Sequence, residues 1–91
     1  MGFELDELID LLSRNHEAEF TWKDKVFMIQ PVDNNLVMYR FSPDLCYLSK
    51  IPCDSPGLVG KNAVMQILNE KCLDGRSFIE LQNEIFVDVI Y

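Results

Sequence analysis

Glu19-Phe20-Thr21-Trp22-Lys23-Asp24-Lys25-Val26-Phe27-Met28-Ile29 decides the fold of this chain. Phe20 and Trp22 alternate with Thr21 and Lys23, which is the period of two that puts one side of a strand into a core. A polar run, Lys23-Asp24-Lys25, then separates this strand from the β-favouring run Val26–Ile29, and the pair reads as a hairpin. Pro31 closes the second strand by removing a ladder donor. Asp33-Asn34-Asn35 is a further turn, composed of residues that tolerate turn geometry. Leu36–Phe41 is a third strand, Ser42-Pro43-Asp44 a turn, and Leu45–Ser49 a fourth strand.

Upstream the period is helical. Leu5, Leu8, Ile9 and Leu12 recur at i, i+3, i+4 and i+7, predicting an amphipathic helix over 3–15. Glu7, Asp10, Arg14 and Glu17 form a second stripe at the same spacing, facing water, with Asp10 and Arg14 an i,i+4 ion pair. Asn15 and His16 terminate the helix, since Asn tolerates the left-handed conformation. Downstream, residues 51–60 hold Pro52, Pro56, Gly57 and Gly60 and read as a loop. Val64, Ile67 and Leu68 predict a helix over 62–71. Ser77-Phe78-Ile79-Glu80 is a capping box opening a short helix to Asn83, and residues 85–91 alternate as a last strand. The expected fold is α+β: an N-terminal helix, an antiparallel sheet of three to five strands, two short C-terminal helices and a final strand.

The chain has 91 residues, a length that suits one domain over 1–91 with one core. Eight basic against fifteen acidic side chains give a net charge of −7. That field disfavours direct nucleic-acid binding, which needs cations to displace counterions, and an anionic membrane surface repels it. The partner that suits it is a larger protein with a basic surface. The N-terminus lacks the basic region and apolar run of a signal peptide, and no stretch has the ~18 apolar residues of a membrane span. Three cysteines, Cys46, Cys53 and Cys72, cannot all pair within one chain. Free thiols in the cytoplasm are the expectation.

Catalytic and metal chemistry finds little support in the residue pattern. His16 is the one histidine, with no nucleophile signature beside it. Cys46 and Cys53 lack the C-x2–4-C spacing of a zinc site, so neither metal nor cofactor is expected. Cys53, in a polar loop, is the one candidate reactive thiol. Gly57-Leu58-Val59-Gly60-Lys61-Asn62 is too short for a phosphate loop, and Asn62 stands where the hydroxyl residue belongs.

The stretch Leu73-Asp74-Gly75-Arg76-Ser77-Phe78-Ile79-Glu80-Leu81-Gln82-Asn83-Glu84-Ile85 resembles the ending of small uncharacterised proteins of Gram-positive bacteria and their phages. Those proteins also begin with a helix and a hairpin like that of 19–29. Gln82 departs from the pattern, where an aromatic residue is more usual. The resemblance implies a bacterial or phage setting, in which small acidic proteins act as inhibitors of host systems, and implies no activity.

Two features remain as candidate partner-binding sites. Residues 1–19 carry −5 of the net −7, so Glu4, Glu7, Asp10 and Glu17 form an acidic stripe suited to a basic groove. The strands 26–29 and 36–39 are apolar on both faces, where a sheet with helices on one side should alternate. Either the second face is covered within the monomer or it is a contact surface, with Trp22, Met38 and Tyr39 as its candidate residues. The leading expectation is a non-catalytic protein-binding module. In its most specific form it is an acidic inhibitor of a nucleic-acid-handling enzyme, of the anti-CRISPR or another anti-defence type. The alternative is a homodimeric accessory protein using the apolar sheet face.

Overall fold

Apolar side chains at helical spacing and at strand spacing converge on one core in the computed structural model of the chain, which describes residues 2–91. Helix α1 (Leu5–Ser13) buries Leu8, Ile9 and Leu12 and places Asp6 and Glu7 in its first turn, at the positive end of the helix dipole. Asn15 ends the turn that follows at φ 70°, as its tolerance of the left-handed region predicts. Helix α1 is thus shorter than the expected 3–15. Glu17 lies beyond it and is not on its acidic stripe.

Four strands then follow by short connections: β1 (Ala18–Trp22), β2 (Lys25–Val32), β3 (Asn35–Ser42) and β4 (Cys46–Pro52). Lys23 and Asp24 both take positive φ, as do Asp33 and Asn34. Two such residues in succession make the two-residue hairpin turn whose twist matches that of the strands. Helix α2 (Lys61–Leu68) and strand β5 (Phe86–Ile90) complete the fold. The sheet is antiparallel throughout, in the order β4-β3-β2-β1-β5. The final strand therefore returns to pair with β1.

Several expectations need correction. Pro31 does not end β2 but lies within it, opposite Leu36. Strand β1 begins opposite Ile29 and runs away from Pro31, so Pro31 has a neighbour on one side only and its missing donor is tolerated. Strand β4 runs on to Pro52, which takes Ile51 out of the supposed loop and into the core. The chain has two helices among the described residues, not three. The Ser77 capping box forms as written, with Glu80 N–H donating to Ser77 Oγ at 3.1 Å and Ser77 N–H donating to Glu80 Oε1 at 2.9 Å. What it caps is a run of turns, closed by a mixture of i+3 and i+4 bonds such as Leu81 N–H to the carbonyls of Phe78 and Ser77. A mixed pattern of that kind does not propagate as an α-helix.

The core lies between the two helices and one face of the sheet. Leu8 and Leu12 from α1 and Val64, Ile67 and Leu68 from α2 meet Phe20, Ile29, Leu36 and Met38 there. Phe20 stacks on Phe27 with ring centroids 4.9 Å apart and meets the edge of Phe78 at 5.1 Å. Phe78, Leu81 and Ile85 from the capped turns close the same side. Met28 and Val37 are buried yet stand outside this cluster, because their parity places them on the other face.

Candidate functional site

Among the described residues no helix covers the other face of the sheet. Its central row is read from the strand register as Val89-Glu19-Met28-Tyr39-Tyr47, one residue from each strand in the order β5 to β4. Opposed residues in an antiparallel ladder share a face, so these five side chains stand together on the open side. Tyr39 and Tyr47 lie with ring centroids 5.5 Å apart, and Phe41 sits 6.3 Å from Tyr39. Gln30, Val37 and Lys50 form the next row.

Most of the large apolar side chains that the fold leaves exposed belong to this face. Tyr47 is 70% exposed, Tyr91 60% and Phe86 55%, with Val32, Phe41 and Val89 near 40%. A Cβ at position 2 would overlap the carbonyl of Val87 and crowd the Phe86 ring, so Gly2 suits its place beside β5. Buried Met28 and Val37 give the face an apolar floor. Beside Tyr47 is a shallow groove of about 490 Å³ lined by Val32, Val37, Tyr47 and the polar Asp33, Ser49 and Lys50.

The β5–β1 side is acidic. Thr21 Oγ1 donates to Asp88 at 2.7 Å, and Tyr91 Oη donates to Glu19 at 3.3 Å. Glu19 beside it raises the Tyr91 hydroxyl above its usual pKa, by like-charge repulsion of the phenolate. Partial burial raises that of Tyr39, with Tyr47 and Glu17 adding to it. Tyr39 Oη also donates to Gln30 Oε1 at 3.0 Å. Glu17 thus belongs electrostatically to the open face.

The residues singled out in the sequence are divided three ways by the structure. Glu7 and Asp10 are exposed on α1, with Glu4 exposed at its N-cap, and Asp10 pairs with Arg14 at 2.7 Å. Trp22 and Met38 face the core, at 4% and 0% exposure, so neither is available to a partner. Trp22 instead reaches Glu84 through Nε1 at 3.5 Å and carries the Lys23 ammonium over its ring at 4.7 Å. Tyr39 and Glu17 remain on the open face. Tyr47, Phe86 and Val89 escaped sequence reasoning. Phe86 and Val89 share a face only because β5 bulges at Asp88, which moves Val87 and Val89 to opposite sides. A bulge leaves no mark in an alternating sequence.

The remaining chemistry is structural. Asp54 accepts the backbone N–H groups of Asn62 and Ala63 at 3.0 and 2.9 Å, capping α2 from across the loop. That contact occupies the loop that distantly matched a phosphate motif. Burial and then Asp54 raise the pKa of the Cys53 thiol, the opposite of what activates a nucleophile. His16 Nδ1 lies 2.8 Å from the Tyr91 carbonyl oxygen. All three cysteines are free. No helix among the described residues is long and apolar enough to cross a membrane.

No family model, curated protein or solved structure matches the chain.

Proposed function

We propose that this chain is a non-catalytic protein-binding module whose contact surface is the helix-free face of its sheet. One observation carries the proposal: Phe41, Tyr47, Phe86, Val89 and Tyr91 are exposed together on the face that the helices leave bare. Single exposed apolar residues need no explanation, but aromatic side chains at both edges of one face, with the apolar floor of Met28 and Val37 between them, are the composition of an interface core. Glu19 and Asp88 supply a polar rim that orients a partner. Free cysteines suit work in a reducing, cytoplasmic setting.

Affinity capture with the immobilised chain tests this. A variant with Phe41, Tyr47 and Phe86 all changed to Ser should lose the proteins that the parent retains, with its circular dichroism spectrum unaltered. Equal retention by parent and variant removes the face from consideration.

A second reading rests on the acidic helix. Among the described residues no salt bridge involves Glu4, Asp6 or Glu7, whereas Asp10 is paired. Unpaired acids on one exposed helix suit a larger partner with a basic surface, and in the sharpest form the chain is an inhibitor of a nucleic-acid-handling enzyme of a bacterial or phage setting. Reversing those charges, rather than stripping the sheet face, is what abolishes capture on this reading.

A further inference from the structure

The central row of the open face is complementary to its own reverse. Read from β5 to β4 it is Val89-Glu19-Met28-Tyr39-Tyr47. A two-fold axis lying between two such faces and parallel to the strands carries β4 of one copy over β5 of the other and leaves β2 over β2. The reversed row then sets Tyr47 over Val89, Tyr39 over Glu19 and Met28 over Met28. An aromatic ring meets an aliphatic side chain, a phenol meets a carboxylate, and the least polar position meets itself. The first two contacts occur twice and the Met28 pair once, on the axis, as an isologous interface requires. The same operation lays Lys50, one row beyond Tyr47, over the end of β5 where Tyr91 and Glu17 lie, so opposite charges are brought together at the rim. A two-fold axis across the strands would instead lay acid on acid.

We infer that the occupant of the helix-free face is a second copy of this chain, packed sheet on sheet with the strands aligned. This rests on the assignment of that face as the contact surface. The size is sufficient. Five strands about 4.8 Å apart, with strands of about 3.3 Å per residue, make a face of roughly 20 by 22 Å. Two such faces in contact bury on the order of 1,000 Å², the lower bound of a specific interface. A reversible dimer, not an obligate one, is the consequence. Sheets pack about 10 Å apart through interdigitated side chains, and the relief from exposed Tyr47 to buried Met28 provides the ridges and hollows for that. Each chain carries −7, so long-range repulsion opposes the dimer and added salt strengthens it. Binding to a basic partner responds to salt in the opposite direction.

Sedimentation equilibrium of the full chain tests the inference. The parent should show a mass rising with concentration from one chain toward two, and sodium chloride should raise the dimer fraction. Tyr47→Lys and, separately, Val89→Lys should each weaken dimerisation about tenfold or more, because the two side chains meet across the interface. Their circular dichroism spectra should match the parent, since both residues are exposed. A parent that is monomeric at every concentration and salt overturns the second copy, as does a dimer indifferent to both substitutions, which would point to an edge strand. If the parent is monomeric and the Phe41, Tyr47 and Phe86 variant still loses its captured proteins, the face is a contact surface for another protein. If capture is also unaffected, the contact surface itself is misassigned.

Discussion

Asn15 holds Val59. The side-chain Oδ1 of Asn15 accepts the Val59 backbone N–H at 2.8 Å while its Nδ2 donates to the Gly57 carbonyl at 2.8 Å. One residue thereby ends α1 in the left-handed conformation and fastens the loop that leads into α2. Val59 is buried in the core, so its N–H has little access to water. Asn15→Ala removes both bonds and puts a Cβ-bearing apolar residue at φ 70°. We expect a loss of about 2–3 kcal/mol in urea unfolding. Asn15→Gly keeps the backbone conformation and should lose less, about 1–2 kcal/mol. Equal stability of the two variants would show that the bonds, and not the backbone, carry the effect.

The capping box offers a second measurement. Ser77 is buried and its Oγ accepts the Glu80 N–H, so Ser77→Ala should destabilise by about 1 kcal/mol. A variant as stable as the parent in chemical denaturation would contradict this.

Acid should weaken the same box. The Lys71 ammonium 2.7 Å from Glu80 Oε1, followed by the Ser77 N–H, holds the Glu80 carboxyl below its usual pKa. A carboxylate with a depressed folded-state pKa stabilises fully above its unfolded pKa, and that contribution is lost as pH falls through the folded value. Stability of the parent should therefore fall on acidification more than that of Glu80→Gln, as parallel melts across the acidic range would show. Identical pH profiles would assign Glu80 no part in it.

Gly60 is a further test. It sits at φ 81°, and a Cβ there would overlap the Asp54 side chain that caps α2. Gly60→Ala must displace the cap as well as strain the backbone, so about 2 kcal/mol or more should be lost. Gly57, also at positive φ, has open space around it, and Gly57→Ala should lose only about 1 kcal/mol. Thermal melts of the pair separate strain from displacement.

Charge reversal on α1 should leave the fold alone. Glu7 and Asp10 are exposed, and the Asp10–Arg14 pair is a surface one. Glu7→Lys with Asp10→Lys should change stability by less than about 0.5 kcal/mol. A slower, less salt-dependent association with captured partners would support the acidic-helix reading, while unchanged kinetics would make the helix charge solubilising only.

What the amino-acid sequence determined by itself was local. The 3.6-residue spacing of Leu5, Leu8, Ile9 and Leu12 marked α1, and that of Val64, Ile67 and Leu68 marked α2. Alternation at Phe20 and Trp22 and the polar pairs Lys23-Asp24 and Asp33-Asn34 marked the hairpins, because turn geometry and side-chain parity are set by neighbours in the chain. Tertiary structure alone decided how β5 joins the sheet, since its partner β1 lies far away in sequence and the bulge at Asp88 arises from that pairing. It also decided that Trp22 and Met38 face the core while Tyr39 and Glu17 face outward. Strands apolar on both sides do not state which face the helices will cover. That choice was made by α1, α2 and the capped turns packing together on one side, and it left Tyr47, Phe86 and Val89 bare on the other.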